Sequence, residues 1–131
     1  MTQRYRIACD EPKELNTVEE AKAKIQDHKL AVILFNERYP EPNTVEHKFN
    51  WCRQVYEHKF DLHCYKCLDE DKFKTGFNIK VTPAFIFFRD GEEIDRFEDA
   101  DQPESNAPKE EKDPKEYRIR TYLDKLCTKQ N

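Results

Sequence analysis

The run Leu30-Ala31-Val32-Ile33-Leu34-Phe35 constrains this chain more than any other feature, because it is six apolar residues without a break. A half-exposed strand alternates apolar and polar residues, whereas a strand buried on both faces does not. The run therefore predicts a central strand in a sheet covered on both sides. Helices supply that cover, and one precedes the run directly. Thr17-Val18-Glu19-Glu20 is a capping box, in which the Thr hydroxyl and the Glu carboxylate satisfy free backbone donors. Val18, Ala21 and Ile25 then recur at helical spacing to about His28.

Downstream, Asn43 or Thr44 can cap a second helix with Val45, Phe49, Cys52, Val55 and Tyr56 on one face, ending near His58. Phe60 to Leu68 reads as a strand and Asp69 to Phe77 as a short helix. Ala84 to Phe88 and Glu93 to Phe97 read as two strands joined through Asp90-Gly91, where Gly accepts the positive φ of a tight hairpin. Arg4 to Cys9 is expected to form a short first strand. Pro114 to about Cys127 is expected to form a last helix with Ile119, Tyr122, Leu123 and Leu126 as its stripe. Residues 99 to 114 hold three prolines and a charge run, and read as a flexible acidic connector inside a single domain spanning residues 1 to 131.

At 131 residues the chain is long enough to bury a core unaided. Its 38% charged residues imply a very polar surface and its 12% aromatic residues a folded interior. The 23 basic and 27 acidic residues are interspersed, which leaves no basic stripe for a phosphate backbone, so nucleic acid is not an expected partner. No run approaches the roughly 18 apolar residues of a membrane span, and Arg4 and Arg6 stand where a secretory signal would need an apolar core. Five cysteines, an odd number without a disulfide-framework spacing, point to a reducing compartment and a cytoplasmic protein.

The element order and the segment Ile79-Lys80-Val81-Thr82-Pro83-Ala84-Phe85-Ile86-Phe87-Phe88-Arg89-Asp90-Gly91, followed by Phe97, resemble the thioredoxin family. In that family this segment carries a cis-proline ahead of an antiparallel hairpin. The resemblance covers about residues 4 to 98 and implies an α/β, thioredoxin-like fold with a central five-stranded mixed sheet flanked by four helices. Thioredoxins end the second strand in an aromatic, followed by a Trp and Cys-Gly-Pro-Cys. Here Phe35, Tyr39 and Pro40-Glu41-Pro42-Asn43 occupy those places, so both family cysteines are absent. Leu34 stands where many thioredoxins keep a buried Asp that assists proton transfer.

Thiol exchange needs a thiolate and a second thiol close enough to resolve the mixed disulfide. The loop at residues 40 to 43 offers neither. Cys64-Tyr65-Lys66-Cys67 is a Cys-x-x-Cys, but it falls within a predicted strand, where positions i and i+3 face opposite ways with Cα atoms about 10 Å apart. A disulfide requires about 4.4 to 6.8 Å. His47, Cys52, His58, His63, Cys64 and Cys67 are close in sequence, but they are spread over a helix and a strand without convergent direction, so no metal or other cofactor is expected. The resemblance also implies a shallow groove whose backbone pairs with an extended peptide, a mode that needs no cysteine. The expected function is a redox-inactive protein-binding or adaptor domain with no catalytic residue. Its groove would be lined by Tyr39, Pro40, Glu41, Pro42, Asn43, Thr82 and Pro83, and its partner would be a protein or peptide. The alternative is a thiol-disulfide oxidoreductase or redox sensor using Cys64 and Cys67, which requires an exposed thiol of low pKa.

Overall fold

The computed structural model describes residues 12–38, 44–68, 70–102 and 106–128. Nine elements follow in order: β1 (Lys13–Glu14), α1 (Val18–Asp27), β2 (Leu30–Phe35), α2 (Thr44–Lys59), β3 (Leu62–Cys67), α3 (Glu70–Phe77), β4 (Ala84–Arg89), β5 (Glu92–Phe97) and α4 (Pro114–Thr128). The expected strand at Arg4 to Cys9 lies outside the described residues, and the first described strand is β1. The strands form one sheet in the order β1-β3-β2-β4-β5. β1 and β2 run parallel to β3, while β4 is antiparallel to β2 and β5 to β4.

All six residues of β2 are buried, as its unbroken apolar run requires. Side chains alternate across a strand, so the run feeds two cores at once. Leu30, Val32 and Leu34 join Phe49, Phe85, Phe87 and Leu123 under α2 and α4. Ala31, Ile33 and Phe35 join Ala21, Ile25, Phe73 and Ile86 under α1 and α3.

The capping box of α1 forms with one adjustment. The Thr17 hydroxyl accepts from the Glu20 N–H at 2.9 Å, while the Glu20 carboxylate reaches back to the Asn16 N–H at 2.9 Å. Gly76 lets α3 approach α1, since a Cβ there would sit 2.8 Å from Val18 Cγ2. The hairpin turn Asp90-Gly91 has φ of 53° and 84°. Positive φ at both central residues is the turn whose twist matches the strands it joins.

The second helix corrects one expectation. Val55, expected on the buried face, is 55% exposed, and Trp51 beside it is 62% exposed. The buried stripe runs through Val45, Phe49 and Cys52 with Tyr56 against it. At about 100° per residue Val55 projects roughly 80° to one side of Val45, and Trp51 still further round. Spacing drawn too generously placed Val55 on the stripe.

Candidate functional site

Phe35 closes β2 between Cys67 on β3 and Ala84 on β4, and the chain leaves the sheet beyond it. Asn36 stays buried and turns this exit into a polar clamp. Its N–H donates to the Cys67 carbonyl at 3.0 Å, its Nδ2 donates to Glu46 Oε2 at 3.0 Å, and its Oδ1 accepts from the Glu37 N–H at 2.9 Å. Asn36 and the first turn of α2 thus hold both ends of the loop between them. Tyr39, Pro40, Glu41, Pro42 and Asn43, the loop half of the expected groove, lie outside the described residues. Leu34 lines a water-sized cavity of about 20 Å³ with Glu46 and Lys66. The buried carboxylate of this region therefore comes from the helix. Sequence reasoning passed over Asn36 and Glu46, although a polar residue ending an apolar run was a visible signal.

The other half of the expected groove is described. The Thr82-Pro83 peptide is cis. Pro83 is buried and Thr82 half-buried, while Val81 is 44% exposed. Glu98 accepts from the N–H groups of Lys80 and Val81, both at 3.1 Å. Arg96 donates to Glu98 at 3.1 Å, to the carbonyls of Asn78 at 3.1 Å and Phe77 at 3.0 Å, and through two bonds to Glu93 at 2.7 and 2.8 Å. Burial alone would raise the Glu98 carboxyl, but its two backbone donors and Arg96 outweigh this and hold it below the usual glutamate value. The Ala100 N–H donates to the Pro83 carbonyl at 2.8 Å. Arg118 donates to the carbonyls of Glu98, Asp99 and Gln102 at 3.2 to 3.4 Å, with its guanidinium 4.4 Å from the Phe97 ring centroid. The turn is thus held from behind by side chains that no sequence pattern singled out.

The connector's described residues also make contacts. Lys48 pairs with Asp113, Arg120 pairs with Glu111 at 3.1 Å, and Ala100 is buried.

The four described cysteines, Cys52, Cys64, Cys67 and Cys127, are free and buried. Cys64 belongs to the core under α2 and Cys67 to the core under α1, on opposite faces of the sheet. Burial pushes both thiols well up, with Glu57 adding to the effect at Cys64 and Glu14 at Cys67. Burial raises Cys52 to about 12 and Cys127 to about 11. Among the described residues, no group of three or more His, Cys, Asp or Glu side chains could hold a metal ion, and no helix is long and apolar enough to cross a membrane.

The same architecture occurs in solved structures. Plasmodium falciparum thioredoxin superposes with a TM-score of 0.67 at 14% identity, over 88% of this chain and 99% of that one. Fasciola hepatica thioredoxin gives 0.62 at 15% identity, over 87% and 98%. A structure from work on the thiol resolving mechanism of yeast mitochondrial 1-Cys peroxiredoxin gives 0.66 at 15% identity, over 88% and 95%. No protein-family model matches the chain, and no curated protein matches its sequence. The chain has the thioredoxin-like fold, and identities this low speak to the fold alone.

Proposed function

We propose that this chain is a redox-inactive, thioredoxin-like binding or adaptor domain of the cytoplasm. It takes an extended stretch of a partner protein between the Tyr39 to Asn43 loop and the Thr82-Pro83 turn. The observation that carries the reading is the placement of the cysteines. The loop at the start of α2 has none, and each described cysteine is buried with a raised thiol pKa. The alternative use of Cys64 and Cys67 requires an exposed, low-pKa thiol and a partner thiol on the same side of the sheet. The groove reading is supported by the turn itself, where exposed Val81 offers apolar contact and the backbone around Thr82 is braced by Glu98 and Arg96.

The test is a selection of extended peptides on the protein, followed by NMR mapping of the selected binders. Binders are expected to shift the amide signals of Val81, Thr82 and Ala84, and Val81→Asp should weaken binding about tenfold or more. Binders that instead shift Trp51 and Val55 and ignore Val81→Asp would contradict the reading.

A further inference from the structure

The opposite end of the sheet carries a titratable cluster that this function does not use. There β2 and β3 begin in register at Leu30 and Leu62, and Arg89 ends β4 beside Leu30. His28, directly after α1, lies flat on His63 of β3, with ring centroids 3.6 Å apart and planes 13° from parallel. His28 Nε2 is 2.7 Å from the Tyr65 hydroxyl, and His63 Nε2 is 3.0 Å from Asp61 Oδ1. Among the described residues, Lys24 and Asp27 of α1 are the other charged groups that act on His28. On the β1 side, Lys13 stands across from Tyr65 in register.

Two neutral imidazoles, or one imidazolium on a neutral ring, stack comfortably at this distance. Two imidazoliums repel. Asp61 supplies a countercharge to His63, while His28 faces a hydroxyl. We propose that the His28–His63 stack is an acid-operated latch, closed while the pair holds at most one proton and opened by the second, which frees the end of α1 from β3. Opening would reach the hairpin, because the Lys29 carbonyl accepts from the Asp90 N–H at 2.8 Å and Gln26 Nε2 donates to the Gly91 carbonyl at 3.1 Å. Burial, and then His63, hold the His28 pKa below its ordinary 6.5. The folded chain thus binds fewer protons at this site than the unfolded chain. The stabilisation is complete above 6.5 and is given up as the pH falls below it.

The test is an NMR titration of the histidine rings from about pH 8 to about pH 5, with hydrogen exchange at the Asp90 amide. His28 is expected to titrate below 6.5 and to move up toward that value in His63→Gln. His63→Phe keeps a stacked ring without a charge and gives the same readout if His63→Gln does not fold. The Asp90 protection factor should fall roughly threefold or more across the range in the native chain and stay flat in His28→Gln. An unmoved His28 midpoint in both His63 variants would overturn the proposal, as would Asp90 protection that is flat in the native chain or that falls equally in His28→Gln.

Discussion

Cys64 and Cys67 face away from each other on β3, and their expected reactivity follows from their surroundings. In a Cys9→Ser variant the remaining cysteines should react with a thiol reagent at about pH 8 only as fast as the protein unfolds, and at once in denaturant. Rapid labelling of Cys64 or Cys67 in the folded variant would contradict their burial. The divergence of this pair was legible in the sequence, because strand periodicity depends on nothing beyond the strand itself. Arg96 shows the reverse. Its value lies in the carbonyls of Phe77 and Asn78 and the carboxylates of Glu93 and Glu98, groups brought together by tertiary contact. Arg96→Ala is expected to cost about 2 kcal/mol or more by chemical denaturation, since it strips several charge-assisted hydrogen bonds together. A loss under about 0.5 kcal/mol would mean that the network is ornamental.

At the scale of elements, β2 was readable because an unbroken apolar run has few destinations, and α1 because its cap and stripe agree. The α2 stripe was readable in part. Phe49 and Cys52 fell on the stripe, but Val55 did not, because at about 100° per residue it projects roughly 80° from Val45, an offset that the spacing itself already contained. Trp51 is the only tryptophan and stands 62% exposed. Its fluorescence should therefore have the red-shifted emission and ready quenching of a solvated indole. A blue-shifted, quencher-resistant emission would show that something covers this face of α2. Where α1 crosses α3, Gly76→Ala would set a methyl 2.8 Å from Val18 Cγ2. Overpacking is expected to outweigh the better helix propensity and destabilise the fold by about 1 kcal/mol. A gain in denaturation midpoint would show that the crossing is looser than described.

For the whole molecule, acid sensitivity gathers at carboxylates that anchor loops to the sheet and α2. Glu98 holds the Lys80 and Val81 amides, while Asp113 pairs with Lys48 and accepts from the Glu116 N–H at 3.1 Å. Burial would raise both carboxyls, yet their hydrogen bonds and nearby cations win and hold both below the ordinary values of 4.5 and 3.8. The unfolded chain therefore binds more protons at these groups. Their stabilisation is present above those values and is lost as the pH drops through and below them. Glu98→Gln should flatten the acid limb of a stability-against-pH curve, and an unchanged limb would remove Glu98 as its source. Fold class was legible at this scale because pattern, turn chemistry and element order agreed. The braces behind the Thr82-Pro83 turn were not, because polar side chains carry no period.

The central claim is that a thioredoxin-like fold serves here without thiol chemistry. It is tested most directly by turnover of insulin disulfides with dithiothreitol as reductant, run beside an authentic thioredoxin and a Cys64→Ser, Cys67→Ser double variant. The account predicts a rate equal to the reductant background for both the native chain and the double variant. Turnover above background that disappears in the double variant would contradict it.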